Sequence, residues 1–167
     1  RLHRVISEHL SEEKLKNIKV TPYDAAKMAR HFSGKFERIL LDAPCSSERH
    51  VMRSPSHLNK WSPSRIKGLS IRQWALLSSS FIMLKEGGIL LYSTCALLEE
   101  ENDFVVQKLI NKYGVAQILS IEDIGKDHNA FSIHKNVAIK KRFGYAYLPH
   151  IHNGAGPIYF SLILKKA

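Results

Sequence analysis

Two short apolar runs, Arg38-Ile39-Leu40-Leu41 and Ile89-Leu90-Leu91-Tyr92, constrain the fold of this chain more than any other feature. Each is too short for a helix and carries apolar residues at successive positions, the pattern of a buried strand rather than one with a wet face. Between them, Leu69 to Lys85 places Trp74, Leu77, Phe81 and Leu84 at spacings of three and four, which predicts a helix with that stripe in the core. Glu86-Gly87-Gly88 is expected to end it. Downstream, Glu99 to Tyr113 predicts a second helix stopped by Gly114, and Val115 to Ile121 a third strand. Tyr145 to Leu148 and Ile158 to Leu164 are expected to pair as the last two strands. Upstream, Leu2 to Lys16 reads as an amphipathic helix with Leu2, Val5, Ile6 and Leu10 on one face. Asn17 to Thr21 reads as a short strand, and Ala25 to Phe32 as one or two helical turns after the break at Pro22. Residues 122–141 show no clear pattern. Strands alternating with helices imply an α/β fold, with a mainly parallel sheet covered on both faces.

In such sheets ligands bind beyond the carboxyl ends of the strands. Asp42 and Cys45 follow one such end and Cys95 follows the next. The two cysteines, fifty positions apart (95 − 45), could therefore face each other across one crevice. The connection from Ala43 to about Gly68 is rich in Pro, Ser and basic residues, and a loop of that length inside a compact domain is usually functional or mobile.

Composition narrows the choice of chemistry. Cys45 and Cys95 are the only cysteines, with no CxxC or paired Cys/His spacing, so a zinc site or a disulfide scaffold is not indicated and no metal is expected. The formal charge of +10 and pI near 9.7 favour polyanionic partners, and the basic residues thicken over 49–67 and 134–145. The chain is long enough to bury one domain's core. No apolar run reaches the roughly 20 residues needed to span a bilayer, and the N-terminus has no signal-type stretch.

Methylation of cytosine at C5 is one reaction whose demands two thiols and a carboxylate can meet. C5 of cytosine is a poor nucleophile until a thiolate adds to C6 and turns the ring enamine-like; one hard step becomes two easier ones. An acid near N3 or the exocyclic amine stabilises the activated ring. After methyl transfer a base must take the C5 proton so that the thiolate can leave, and a second cysteine can serve or assist there.

Asp42-Ala43-Pro44-Cys45-Ser46-Ser47 and Tyr92-Ser93-Thr94-Cys95 resemble the two cysteine motifs of the Nop/Sun (Fmu-type) RNA cytosine-5 methyltransferases. VTPYDAAKM, RQWALL, KEGGILLYSTC, EEENDFVV and the tail LPHIHNGAGPIYFSLILKK are similar to further segments of that family, and APCSSERH and GPIYF lean towards its mitochondrial ribosomal-RNA branch and bacterial relatives. Either cysteine motif alone is weak; both at this spacing and in this order are strong. The resemblance covers nearly all of the chain. It implies a Rossmann-like class I methyltransferase sheet, mainly parallel with an antiparallel C-terminal strand, in which residues 1–167 are the C-terminal part of one catalytic domain. Cys95 is then the nucleophile, Cys45 assists product release, and Asp42 contacts both base and cofactor. Asp24, Asp42 and Pro44 contact S-adenosylmethionine, with Asp24 at the adenine side. The family's glycine-rich strand–loop and the strand after it are expected ahead of residue 1, leaving a gap in the sheet between Asn17–Thr21 and Arg38–Leu41. The chain by itself is therefore not expected to hold cofactor tightly.

The implied substrate is a cytidine in structured RNA, ribosomal more than transfer RNA, with a separate RNA-binding domain or protein as a further partner. No membrane association is implied, and the compartment is bacterial cytoplasm or mitochondrion. Arg49, His50 and Arg53 are candidates for RNA phosphates, against the alternative of a solvated loop. Gln73 and Trp74 read as helix packing, with Gln73 able to reach the long loop, and Glu99 to Glu101 read as a solvated helix start. Two other function classes stay open: a non-catalytic RNA-binding module, and a cysteine-dependent hydrolase using Cys45 and His50.

Overall fold

A computed structural model describes residues 2–48, 51, 54, 56, 59, 61–121 and 138–167. The element order is α1 (Leu2–His9), α2 (Glu12–Leu15), a 3-10 turn (Ala25–Lys27), α3 (Ala29–Phe32), β1 (Phe36–Asp42), α4 (Pro63–Met83) and β2 (Leu84–Thr94). A 3-10 turn (Glu99–Glu101), α5 (Asp103–Lys112), β3 (Ala116–Leu119), β4 (Ile139–Lys140), β5 (Tyr145–Tyr147) and β6 (Ile158–Lys165) complete it.

β1 and β2 are parallel, in register from Arg38 opposite Ile89 to Asp42 opposite Ser93. β6 lies antiparallel to β2, with Leu90 opposite Ile163 and Thr94 opposite Tyr159. β3 and β5 pair with different stretches of β6, both antiparallel, and β4 pairs with β5. Thus β1, β2, β3 and β5 share one direction and the C-terminal strand runs against its neighbours, as expected for this α/β class. The expected pairing of the last two strands is present.

The core lies on one face of this sheet. Leu41, Leu90, Tyr92, Tyr159 and Ile163 point towards Leu77 and Phe81 of α4 and Val105, Val106 and Leu109 of α5, and all are buried. Each such aliphatic side chain contributes roughly 1.5–3 kcal/mol. The predicted stripe is core, although Trp74 is only partly buried and carries Lys112 over its ring. The expectation of cover on both faces is not met at β1 among the described residues: Leu40, on its other face, is 70% exposed, whereas Leu162 on the same face of β6 is buried. Nor does Asn17–Thr21 form a strand; without a neighbour to complete a ladder it remains irregular, with Ile18 and Val20 exposed.

Other boundaries shift for local reasons. The predicted N-terminal helix divides at Leu10–Ser11. The α4 helix starts at Pro63 rather than Leu69, because the Ser62 hydroxyl accepts from Arg65 N and Pro63 fits the first helical turn. Gly87-Gly88 forms a bulge within β2 instead of a helix stop: Gly87 has φ +72°, and a Cβ on Gly88 would lie 2.8 Å from Leu84 Cγ. The helix predicted from Glu99 is interrupted at Asn102, whose amide bonds to Ala96 O and Thr94 Oγ1.

Candidate active site

The parallel register of β1 and β2 brings the cysteines together. Their ladder runs past Asp42 through a bond from Ala43 N to Ser93 O, so the two chains leave the sheet side by side. Cys45 and Cys95 follow, and their sulfurs are 2.7 Å apart. Both residues are partly exposed and neither forms a disulfide. Cys95 N donates to the Cys45 sulfur at 3.3 Å, and Ser47 Oγ lies 3.1 Å from the Cys95 sulfur and 3.6 Å from that of Cys45. Ser47 has φ +56°, an uncommon conformation for a residue with a side chain, and it turns this hydroxyl back onto the thiol pair. Burial, reinforced by the hydrogen bond to Cys95, pushes the Cys45 thiol up to about 11, so it keeps its proton at neutral pH.

Beneath the pair is a buried polar network. Glu101 is fully buried and accepts from Ser46 N at 3.0 Å and from Gln73 Nε2 at 2.8 Å. Gln73 Nε2 also donates to Pro44 O at 2.9 Å. The Ser46 hydroxyl lies between the carboxylates of Glu101 and Glu48 and hydrogen-bonds with both, while Glu48 accepts from Leu97 N. Tyr92 donates its hydroxyl to Glu101 O. The loop carrying Cys45 is thus tied to α4, and through Glu48 to the segment after Cys95. Gln73 does reach the loop, as its position on α4 allowed. Glu101 corrects the sequence expectation of a solvated run: Glu99 and Glu100 are exposed, and Glu101 turns inward because three donors converge where its 3-10 turn places it. Ser46, Ser47, Glu48 and Glu101 were not singled out by sequence reasoning; the only available signal was their proximity to the two cysteines.

Asp42 is exposed at the end of β1, and its carboxylate forms no hydrogen bond with a described residue. Pro44 is exposed beside it. Asp24 stands apart from the thiols. It caps the 3-10 turn by accepting from Ala26 N, and its carboxylate is held by Arg72 at 2.5 Å. The Arg72 hydrogen bond, with the Ala26 amide behind it, holds Asp24 below the usual carboxylate range. Asp24 also borders a cavity of about 440 Å³ with Tyr23, Met28, His31 and Phe32, a size within the range of small-molecule pockets. An acid beside Tyr23, Met28 and Phe32, with Lys19 and Lys27 also in the lining, is compatible with the nucleoside end of a cofactor. Among the described residues no glycine-rich turn leads from a strand into a helix to hold the rest. Arg49, His50 and Arg53 lie outside the described residues.

Comparison with known proteins gives this geometry a context. The family model described as 16S rRNA methyltransferase RsmB/F matches residues 1–163. Ribosomal RNA small subunit methyltransferase F of Serratia proteamaculans is 32% identical over 163 residues, 98% of this chain and 32% of that protein. The protein of the same name from Psychromonas ingrahamii is 42% identical over 99 residues, 59% of this chain and 21% of its own length. The chain therefore spans about a third or less of the curated relatives it matches. Among solved structures, NSun6 from Pyrococcus horikoshii with SFG superposes with a TM-score of 0.71 at 24% identity, over 98% of this chain and 38% of that one. A methyltransferase homologue from the same organism gives 0.64 at 24% identity, over 100% and 51%. These two likenesses establish the fold.

Proposed function

The chain belongs to the RsmB/F family of 16S rRNA methyltransferases, and from that premise we propose that it carries the thiol chemistry of an RNA cytosine-5 methyltransferase. The single observation that carries this reading is the contact between Cys45 and Cys95 at the ends of two parallel strands, with Asp42 beside them. Asp24, Asp42 and Pro44 would be among the residues holding S-adenosylmethionine, which would supply an electrophilic methyl group.

The roles follow from the surroundings of each thiol. Cys95 attacks: its thiolate forms a bond to C6 of the cytosine, the C5–C6 electron pair shifts into the ring, and C5 becomes the nucleophile. Before attack the Cys95 sulfur is in contact with both Ser47 Oγ and the Cys45 sulfur. Asp42, without a hydrogen-bond partner among the described residues, is available to hydrogen-bond the ring as charge builds on it. Once C5 carries the methyl group, its proton must leave and the C6–sulfur bond must break, returning the electrons to Cys95. Cys45 serves this elimination: with Cys95 bonded to C6, the Cys45 thiol yields its own proton to solvent, and the resulting thiolate takes the C5 proton as the C6–sulfur electrons return to Cys95. Its thiol is held high by burial and by the hydrogen bond to Cys95, and bonding of Cys95 to C6 removes the second influence.

The substrate proposed is a cytidine of ribosomal RNA, swung out of its stack to reach strand ends. The two relatives described are bacterial, and the site of action proposed is a bacterial cytoplasm or a mitochondrion; no described helix is long and apolar enough to cross a membrane. The test uses the full-length protein with RNA and cofactor. Cys95→Ala is expected to lose methylation and denaturation-resistant RNA adducts, and Cys45→Ala to accumulate the adduct. Free turnover by Cys45→Ala together with adducts from Cys95→Ala would reverse the roles. An intact protein that binds RNA but takes up no cofactor would favour the non-catalytic reading.

A further inference from the structure

The segments leaving the two cysteines meet again away from the thiols. Trp61 and Pro63 end the connection that begins at Cys45, Leu98 and Glu100 follow Cys95 by three and five residues, and together with α4 and α5 they line a groove of about 440 Å³. Ile66, buried, forms its floor. Trp61 and Phe104 present rings that are 40% and 45% exposed. Lys67 and Lys108 are exposed at its rim and form no ion pair among the described residues; against them stands one carboxylate, Glu100, which leaves the rim net positive. The groove shares α4 with the residue that holds the Cys45 loop. Gln73, which holds Pro44 from below, is seven residues along α4 from Ile66, roughly 10 Å at the rise of an α-helix.

We propose that this groove seats an unstacked nucleotide neighbouring the target cytidine, its base stacked on Trp61 or Phe104 and its phosphates met by Lys67 and Lys108. This rests on the methyltransferase reading for the identity of the strand in the cleft, but not for the binding itself. Half-exposed aromatic rings flanked by lysines are how proteins hold single-stranded nucleic acid, because every base has a face to stack and every linkage a charge. The chain's charge of +10 favours the same occupant. A protein partner fits less well, since lysine is depleted from protein–protein interfaces. A base lodged here would anchor the strand beside the cleft and help keep the target base out of its stack.

The test is equilibrium binding of a fluorescein-labelled eight-nucleotide oligo(A) RNA to the full-length protein over a series of salt concentrations. Trp61→Ala and Phe104→Ala are each expected to weaken binding by about 5- to 100-fold, with Trp61→Phe restoring most of the loss. Lys67→Gln and Lys108→Gln are each expected to reduce the log–log salt slope by about 0.7. Quenching of Trp61 emission by the RNA should disappear in Trp61→Phe. Folded alanine variants that bind the oligonucleotide as the parent does, with unchanged salt slopes in the lysine variants, would overturn the proposal. So would variants that keep RNA binding and lose a protein partner instead. Failure of the methyltransferase reading would show in the cysteine variants' adducts and would leave this binding series interpretable.

Discussion

Cys45 and Cys95 touch, yet their environments ask different things of them. Burial and the hydrogen bond to its neighbour hold Cys45 near 11, above the free-thiol value of about 8.5, so at pH 7 to 9 it is more protonated than a free cysteine. Alkylation of Cys45 by iodoacetamide, followed peptide by peptide, should rise with pH through a midpoint near 11. In Cys95→Ala the hydrogen bond that raises it is gone, and the midpoint should fall. A Cys45 midpoint at or below the ordinary thiol range in the parent protein would contradict the assigned proton. Glu101 makes a second prediction. Glu101→Ala strands Ser46 N and one Gln73 donor bond in a buried site, at a cost of about 3 kcal/mol, read as a loss in denaturant unfolding. The meeting of the two cysteines was legible because both follow the ends of neighbouring strands. Glu101 was not: three successive glutamates look alike in a sequence, and only the 3-10 turn decides which of them faces inward.

At the level of elements, the β1–α4–β2 unit was readable from its apolar runs and its helical stripe, because burial of Leu90, Leu77 and Phe81 enforces both periodicities. Its edges were less readable. The α4 start was masked by a loop-like composition, although Ser62 and Pro63 together carry a helix-start signal. Ser62→Ala should cost about 1 kcal/mol by removing the cap on Arg65 N, seen as a lowered denaturation midpoint with an unchanged slope. Gly87-Gly88 read as a helix stop because a bulge and a turn ask for the same residue; only the register between β1 and β2 distinguishes them. The Asn17–Thr21 segment has the composition of a strand, but a strand exists only through its neighbour's hydrogen bonds.

For the whole molecule, the unequal faces of the sheet give the strongest contrast. Leu90 is fully buried under α4 and α5, whereas Leu40 is 70% exposed on the opposite face of β1. In this chain Leu90→Ala should cost about 2–5 kcal/mol, and Leu40→Ala should stay within about 0.5 kcal/mol; equal losses would mean that the second face is covered after all. The direction of the strands and the C-terminal antiparallel strand were foreseen from the order of elements and the family resemblance. The exposure of Leu40 among the described residues was not, because the sequence of a strand records how apolar it is and not what lies against each face. The proposed chemistry turns on which sulfur bonds to the base. The deciding measurement is mass-spectrometric mapping of the RNA–peptide link in full-length Cys45→Ala after protease and nuclease digestion. The prediction is a nucleotide on the peptide containing Cys95. No link at Cys95, or a link mapped to Cys45 in the Cys95→Ala protein, would contradict it.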